Sequence, residues 1–419
     1  MHILVINSGS SSIKFSMFDS NSAENRSAPH CLFDGEISGI GDPDARIELR
    51  VASGTDHLTS RQSEVKAKSL IEAMQMVIDT VCIPGVPAVH AVGYRVVHPG
   101  AKLREHQRIT PEVLHDLEEA EVFAPLHDPA VIAVIRKGMQ QFPDVPHYAC
   151  FDTVFHQTMP EEANTYPLPQ AFRVKGVRRY GFHGLSCESI VRQMRADEIG
   201  CPKRVVIAHL GSGCSVTAVV NGCSVDTTMG LTPTGGVVMG TRPGDLDPGV
   251  VLYLLRQQEG DTAGAISTVE TILNHESGMV ALTEMANDVK AVRGAAVEGD
   301  TRALLALKVF TRSVTKAIGA FCWLLGGLDA IVFAGGIGEH DALTRLEILT
   351  GLEGMGISIN SSLNEEKVDG IARLSASESK TEVFVIPSQE DLMIAVHVDR
   401  MAGSDKYFRR FGHKSHRPL

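Results

Sequence analysis

Residues 3–14 read ILVINSGSSSIK, and residues 206–222 read VIAHLGSGCSVTAVVNG. Each is an apolar run that meets a glycine–serine turn and resumes with apolar residues at every second position. Phe15 and Met17 follow the first turn, and Val216, Ala218 and Val220 follow the second. Period two on either side of a glycine turn is the pattern of a strand, a tight turn and a return strand. Superimposing Gly9 on Gly211 also aligns Ser10 with Ser212 and Asn7 with His209. One such hairpin would say little, because glycine turns are common. Two of one design, roughly 200 positions apart in a chain of 419 residues, indicate a duplicated fold.

The length agrees, since a single core stops growing well below 419 residues. Between the hairpins, residues 69–80 are apolar at helical spacing, 91–97 read as a buried strand, and 111–121 read as a helix opened by Pro111. In the second half, residues 301–325 form a long helical stretch and 329–334 a short buried strand. That strand runs into Gly335-Gly336-Ile337-Gly338. Strands alternating with helices give an α/β fold with a parallel or mixed sheet. Residues 259–264 and 375–380 read as exposed loops, and the basic tail from 406 to 419 as a frayed terminus.

Composition narrows the function classes. A net charge of −11 argues against a nucleic-acid binder, which needs a basic face. It leaves room for a phosphate site, which backbone N–H groups and a few cations build locally. The eight cysteines show no CxxC spacing and read as free thiols of a reducing compartment. Residues 1–6 run into Asn7 without a signal-peptide core, and no apolar run approaches the ~18 residues of a membrane span. The expectation is a cytoplasmic protein with no membrane partner.

Three glycine-rich segments each follow a strand: residues 7–12 with Lys14, residues 209–213, and residues 335–339. Glycine lets backbone approach a polyphosphate, and successive N–H groups then converge on its oxygens. Hydroxyls of Ser10 and Ser12 and the charge of Lys14 would add donors. No GxxxxGK[ST] occurs, so the P-loop architecture is excluded.

At this point a resemblance becomes specific. The segments quoted at the outset resemble the two signatures of the acetate kinase (acetokinase) family. Between and beyond them stand GYRVVHPG from Gly93, APLHDP from Ala124, FDTVFHQTMP from Phe151, RRYGFHG from Arg178, MGTRPGDLDPG from Met239, AGGIGEH from Ala334 and IPSQED from Ile386. They keep the family's order along essentially the whole chain. The resemblance implies a duplicated ribonuclease H-like fold of the actin/Hsp70/sugar kinase superfamily, with two domains and a central cleft. Residues 1–155 with a returning helix in 390–419 would form the first domain. Residues 156–389 would form the second, carrying the nucleotide motifs and a homodimer interface.

The implied reaction moves the γ-phosphoryl group of ATP onto acetate with Mg²⁺, or Mn²⁺ in its place. A carboxylate is already an anion, so the reaction needs no general base; it needs positioning and charge neutralisation. Guanidiniums suit both carboxylate and phosphoryl oxygens. The resemblance puts Arg95 at the substrate carboxylate and Arg242 at the phosphoryl group in flight, with His183 donating to an equatorial oxygen. Asp152 joins Arg95, His183 and Arg242 as the catalytic set, with His127 in support. Asn7 and Glu390 would serve the metal. Val97, Leu126, Phe182 and Pro233 would line a shallow pocket for the methyl group. The nucleotide would meet Ser10, Ser12, Lys14, His209, Leu210, Gly211, Ser212, Gly213, Asp288, Val289, Lys290, Gly336, Ile337, Gly338 and His340.

Departures from the family pattern fall mostly on the nucleotide and substrate-loop side: Ser212, Leu185, Cys187, Thr234-Gly235, Pro243, Asp128, Lys290, His340 and Gln389. Rival readings are a propionate or other short-chain acyl kinase, a pyrophosphate-dependent enzyme, an inactive paralogue, and an actin- or Hsp70-like nucleotide-dependent binding protein. The last has no use for a pair of arginines at a carboxylate site.

Overall fold

In this computed structural model all residues are described except 10, 21–27, 43, 54–56, 124–127, 198, 259, 369 and 412–419. The chain divides into two compact units, Met1–Val154 with Gln389–Leu419, and Phe155–Ser388.

The first unit is built on an eight-stranded sheet of β1 (His2–Ser8), β2 (Ser12–Asp19), β3 (His30–Ser38), β4 (Arg46–Ser53), β5 (His57–Glu64), β6 (Ala91–Val96), β7 (Gln107–Arg108) and β8 (His147–Phe151). Its order is β5-β4-β3-β2-β1-β6-β8-β7. The first five strands form an antiparallel meander. β1, β6 and β8 run parallel. Leu4, Ile6, Phe15, Val92, Tyr94 and Ala149 point into one core with Met74 and Val77 of the helix Leu70–Val81 and Ile135 of the helix Asp128–Gln141. At ~25 cal/mol per Å² of apolar surface, such fully buried side chains each contribute about 1.5–3 kcal/mol. The helix Glu390–Phe411 packs on β1 and β6. Gly93 makes this approach possible, since a Cβ there would stand 2.7 Å from Ile394 Cγ2 and Val398 Cγ2.

The second unit carries a six-stranded sheet of β9 (Arg204–Leu210), β10 (Cys214–Val220), β11 (Cys223–Thr227), β12 (Ala330–Ala334), β13 (Ala372–Arg373) and β14 (Glu382–Val385), in the order β11-β10-β9-β12-β14-β13. β9, β10 and β11 are antiparallel neighbours, and β9, β12 and β14 run parallel. The run β3-β2-β1-β6-β8 of the first sheet thus recurs as β11-β10-β9-β12-β14, with the same directions. The duplication read from the two hairpins is real at the level of sheet topology. Val205, Ile207, Val332 and Phe384 form a core with Ile190, Val191 and Met194 of the helix Gly184–Ala196. The long helix Thr301–Leu324 lies on β9 and β10.

Three local readings are corrected. Gly335 opens a short helix, Gly335–His340, where a turn was expected. Residues 262–264 already belong to the helix Thr262–His275, capped by Asp261. The tail is helical as far as Phe411.

Candidate active site

In both units the chemistry-bearing residues collect at the carboxyl ends of the parallel strands, where open α/β sheets bind ligands. Asn7 is next to last in β1, Arg95 next to last in β6, and Asp152 follows the end of β8.

In the first unit these three meet the first turn of the helix Glu390–Phe411. Arg95 Nε donates to Asp152 Oδ1 at 2.8 Å and Nη2 to Oδ2 at 2.6 Å, a two-pronged pairing with a carboxylate that is 1% exposed. Arg95 Nη1 donates to Asn7 Oδ1 at 3.2 Å and lies 3.7 Å from Glu390 Oε2. Asn7 Nδ2 donates to Glu390 Oε2 at 3.2 Å and to Asp391 Oδ1 at 3.0 Å. Ser16 Oγ donates to the other Asp391 oxygen at 2.7 Å. The orientation of the Asn7 amide follows from this network, because a flip would set its oxygen against two carboxylates. Burial works against the Arg95 charge, but Asp152, Glu390 and Asp391 hold its pKa above the ordinary arginine value. Burial also raises the Asp391 carboxyl above the ordinary range, against the hydrogen bonds from Asn7 and Ser16.

This arrangement modifies two expectations. Asp152 takes the Nε/Nη2 edge of Arg95, so only the N–H groups on its Nη1/Nη2 edge are left for a substrate carboxylate. The oxygen of Asn7 is turned to Arg95 and not to an open ligand position. Asp391 and Ser16 belong to the cluster and were not singled out from sequence; the hint was a second acid directly after Glu390. Lys14 is the cross-strand neighbour of Asn7 and is exposed. Val97 is half-buried, and Ser12 closes the first turn by accepting the Gly9 N–H at 2.8 Å on its carbonyl. Ser10, Leu126 and His127 lie outside the described residues.

In the second unit the turn Gly211-Ser212-Gly213 is ringed by donors. A Cβ on Gly213 would stand 3.5 Å from His183 Nε2 and 3.6 Å from Arg242 Nη1. One on Gly211 would stand 4.0 Å from both His209 Nε2 and the Gly336 N–H nitrogen. Glycine at these positions keeps the space between imidazoles, guanidinium and turn backbone open. The His183 and His209 rings stack at 4.2 Å between centroids. Arg242 Nη1 donates to Pro233 O at 3.2 Å, and burial lowers the Arg242 pKa. Cys214 lies beneath the turn, its thiol donating to Gly211 O; burial pushes its pKa up to about 12 and so favours the neutral thiol. Phe182 is 1% exposed and Pro233 is buried, so both are core side chains of this unit.

Beside the turn lies a cavity of about 600 Å³ lined by Gly211, Ser212, Asp288, Val289, Lys290, Gly336, Ile337 and His340, all assigned to the nucleotide from sequence. Its size suits a nucleoside. Asn287, Arg293, Asp341 and Leu343 complete the lining and were missed. Asn287 Nδ2 donates to Ser212 Oγ at 2.9 Å. Arg293 is fixed by Asp341, Thr344 and Glu347. Gly338 is buried inside its short helix, and Leu210 ends β9 with its side chain in the core. Glu339 Oε1 accepts the Gly335 and Ser388 N–H groups at 2.8 and 3.1 Å, tying the third glycine segment down.

Comparison with known proteins places this geometry in context. The model of the acetokinase family matches residues 2–396. The acetate kinase of Geobacillus kaustophilus (strain HTA426) is 40% identical over 409 residues, covering 96% of this chain and 99% of that protein. The crystal structure of Porphyromonas gingivalis acetate kinase superposes with a TM-score of 0.80 at 33% identity, covering 96% of this chain and 99% of that one. A propionate kinase from Francisella tularensis subsp. tularensis SCHU S4 gives a TM-score of 0.84 at 32% identity, with the same coverage.

Proposed function

The chain belongs to the acetokinase family, and we propose that it transfers the γ-phosphoryl group of ATP reversibly to acetate, giving acetyl phosphate and ADP. The observation that carries this reading is the donor ring around Gly213, where His183 Nε2 and Arg242 Nη1 flank a glycine turn beside a nucleoside-sized cavity. Charge develops on the phosphoryl oxygens during transfer, and donors fixed in advance stabilise it without reorganisation. The acid needs no base, and none is assigned.

In this reading the adenosine end occupies the cavity and the turn N–H groups, His209 and Arg242 meet the phosphates. Arg95 acts from within the acidic cluster: its fork holds Asp152, and its remaining N–H groups face the anionic substrate. Asp152, Glu390 and Asp391 set three carboxylates against the single Arg95 charge, an oxygen-donor set that fits Mg²⁺. Glu390 is the residue we assign to hold it, with Asp152 and Asp391 in reach of its shell. When bound, the ion would supply positive charge against the phosphate oxygens.

The likeness to a propionate kinase favours one second reading, a preference for the three-carbon acid. One methylene is worth only about 1–3 kcal/mol in such a pocket, so both acids should react. Acyl phosphate trapped as the hydroxamate, with MgATP or pyrophosphate as donor and acetate, propionate or butyrate as acceptor, tests the assignment. A rate with ATP and acetate supports it, a faster rate with propionate moves it to the second reading, and no product with any pair removes both.

Two further assignments belong to this reading. The free thiols fit a cytoplasmic setting, and no described helix is long and apolar enough to cross a membrane. Exposed Trp323, Tyr253, Leu252 and Leu305 in the second unit support a homodimer through that unit; a monomer by light scattering at micromolar concentration would remove it.

A further inference from the structure

His183 and Ser186 stand at the start of the helix Gly184–Ala196, while His209 and Ser215 face each other across the β9–β10 ladder. The two elements exchange side chains. His183 Nδ1 lies 3.0 Å from Ser215 Oγ, and His209 Nδ1 lies 2.8 Å from Ser186 Oγ. Each histidine is held by the serine of the opposite element, and both serines are fully buried.

The direction of these hydrogen bonds follows from the surroundings. Among the described residues, each hydroxyl has its imidazole nitrogen as partner and no other. If the ring donated, the serine O–H would be left buried without an acceptor, which is the costly error in a protein interior. If the serine donates, only a lone pair goes unused. Nδ1 is then the acceptor on both rings, and the proton of the neutral imidazole sits on Nε2. Those are the nitrogens near the Gly211–Gly213 turn, 3.5 Å and 4.0 Å from the Cβ positions of Gly213 and Gly211. The backbone of His183 adds a second sign of constraint: its φ is +57°, and as the residue before the helix its side chain makes no cap hydrogen bond. A left-handed non-glycine residue persists where its surroundings over-determine it.

We propose that Ser215 and Ser186 are positioning residues that set His183 and His209 as neutral imidazoles with Nε2–H pointed at an anion on the glycine turn. The chemical consequence is that both rings act as donors without carrying charge, so the cation at the turn is Arg242. The inference rests on the phosphoryl-transfer reading for its purpose but not for its geometry. It can therefore fail separately.

The test uses the full-length protein with ¹⁵N-labelled histidine rings, recorded near pH 8, above the ordinary histidine range. Signals are assigned by their loss in His183→Gln and His209→Gln. A protonated Nε2 and unprotonated Nδ1 on both rings is the expected result; a protonated Nδ1 on either ring overturns the proposal. In Ser215→Ala the His183 signals should shift toward a tautomer mixture. Its kcat should fall about five- to tenfold, the worth of one net hydrogen bond, while KM for ATP and acetate moves less than about twofold. Ser215→Thr, which keeps the hydroxyl, should restore both. An alanine variant with unchanged signals and unchanged kcat would overturn the role of Ser215. If an alanine variant does not fold, the wild-type spectrum still decides. A wild-type protein with both Nε2–H signals but no acyl phosphate product leaves the serine assignment standing and removes the phosphoryl-transfer reading.

Discussion

Replacing Gly278 by alanine should cripple catalysis from a residue that carries no functional group. Gly278 opens the helix Gly278–Thr283 with φ +68°, and this end of the helix braces the loop that carries Arg242. Ser277 N–H donates to Thr241 O, Met279 N–H to Met239 O, and Val280 N–H to Gly240 O, each at 3.0 Å. A Cβ at 278 would stand 2.3 Å from Met239 O, 2.7 Å from Arg242 O and 2.9 Å from Arg242 N. Real Cβ contacts essentially never fall below 3.0 Å, so the loop backbone must move by at least about 0.7 Å. The left-handed backbone costs about 1–2 kcal/mol once a Cβ is present, and forced repacking about 1–3 more. A stability loss of about 2–5 kcal/mol is expected. A shift approaching 1 Å in a group that meets the reacting phosphoryl costs up to about 10²-fold, so kcat should fall tenfold to a hundredfold. Gly299→Ala is the control: φ is +92°, but nothing lies within 4 Å of its Cβ position. It should lose about 1–2 kcal/mol and keep its kcat. Urea unfolding and hydroxamate kinetics on both variants decide the matter. A Gly278→Ala enzyme with wild-type kcat would refute the claim that this contact positions Arg242.

Arg242→Ala should lower kcat by about 10²–10³-fold, and Arg242→Lys should recover only part, because an ammonium cannot reproduce the fork; equal rates for arginine and lysine would argue for simple charge. Asp152→Asn sets an amide against the Arg95 donors in a buried pair, and urea unfolding should show a loss of about 3 kcal/mol; a loss below about 1 kcal/mol would mean that Glu390 already carries the pairing. His156 is fully buried between Ser224 Oγ and Phe182 O, and burial lowers its pKa from 6.5 to about 4. The unfolded chain then binds a proton that the folded chain refuses, so its contribution is intact above pH 6.5 and is lost as pH falls toward about 4, at about 1.4 kcal/mol per pH unit. His156→Gln should flatten the urea midpoint against pH by that amount, and an unchanged slope would count against it.

What could be read from sequence follows physical lines. The hairpins at Gly9 and Gly211 were legible because period-two alternation and glycine both act locally. The strands β3 to β5 were not, since HLTSRQSE at 57–64 has a single aliphatic residue, and its place is set by ladder hydrogen bonds to a neighbouring strand. The motifs identified Glu390 but not Asp391. Consecutive acids in a first helical turn point about 100° apart, and only the packed helix shows that both reach the Asn7 amide. The resemblance puts Arg95 at the substrate carboxylate, and motifs cannot show that its position between β1 and β8 gives its Nε/Nη2 edge to Asp152. Ser186 and Ser215 gave no signal, because a hydroxyl in an apolar segment takes its meaning from the ring it touches.

The central claim is that the site neutralises charge during direct transfer and uses no covalent relay. It is tested most directly by the stereochemical course with ATP chiral at the γ-phosphorus and acetate as acceptor. A single in-line displacement predicts acetyl phosphate with inverted configuration at phosphorus. Retention would require a phosphorylated enzyme between two displacements, and would contradict the account.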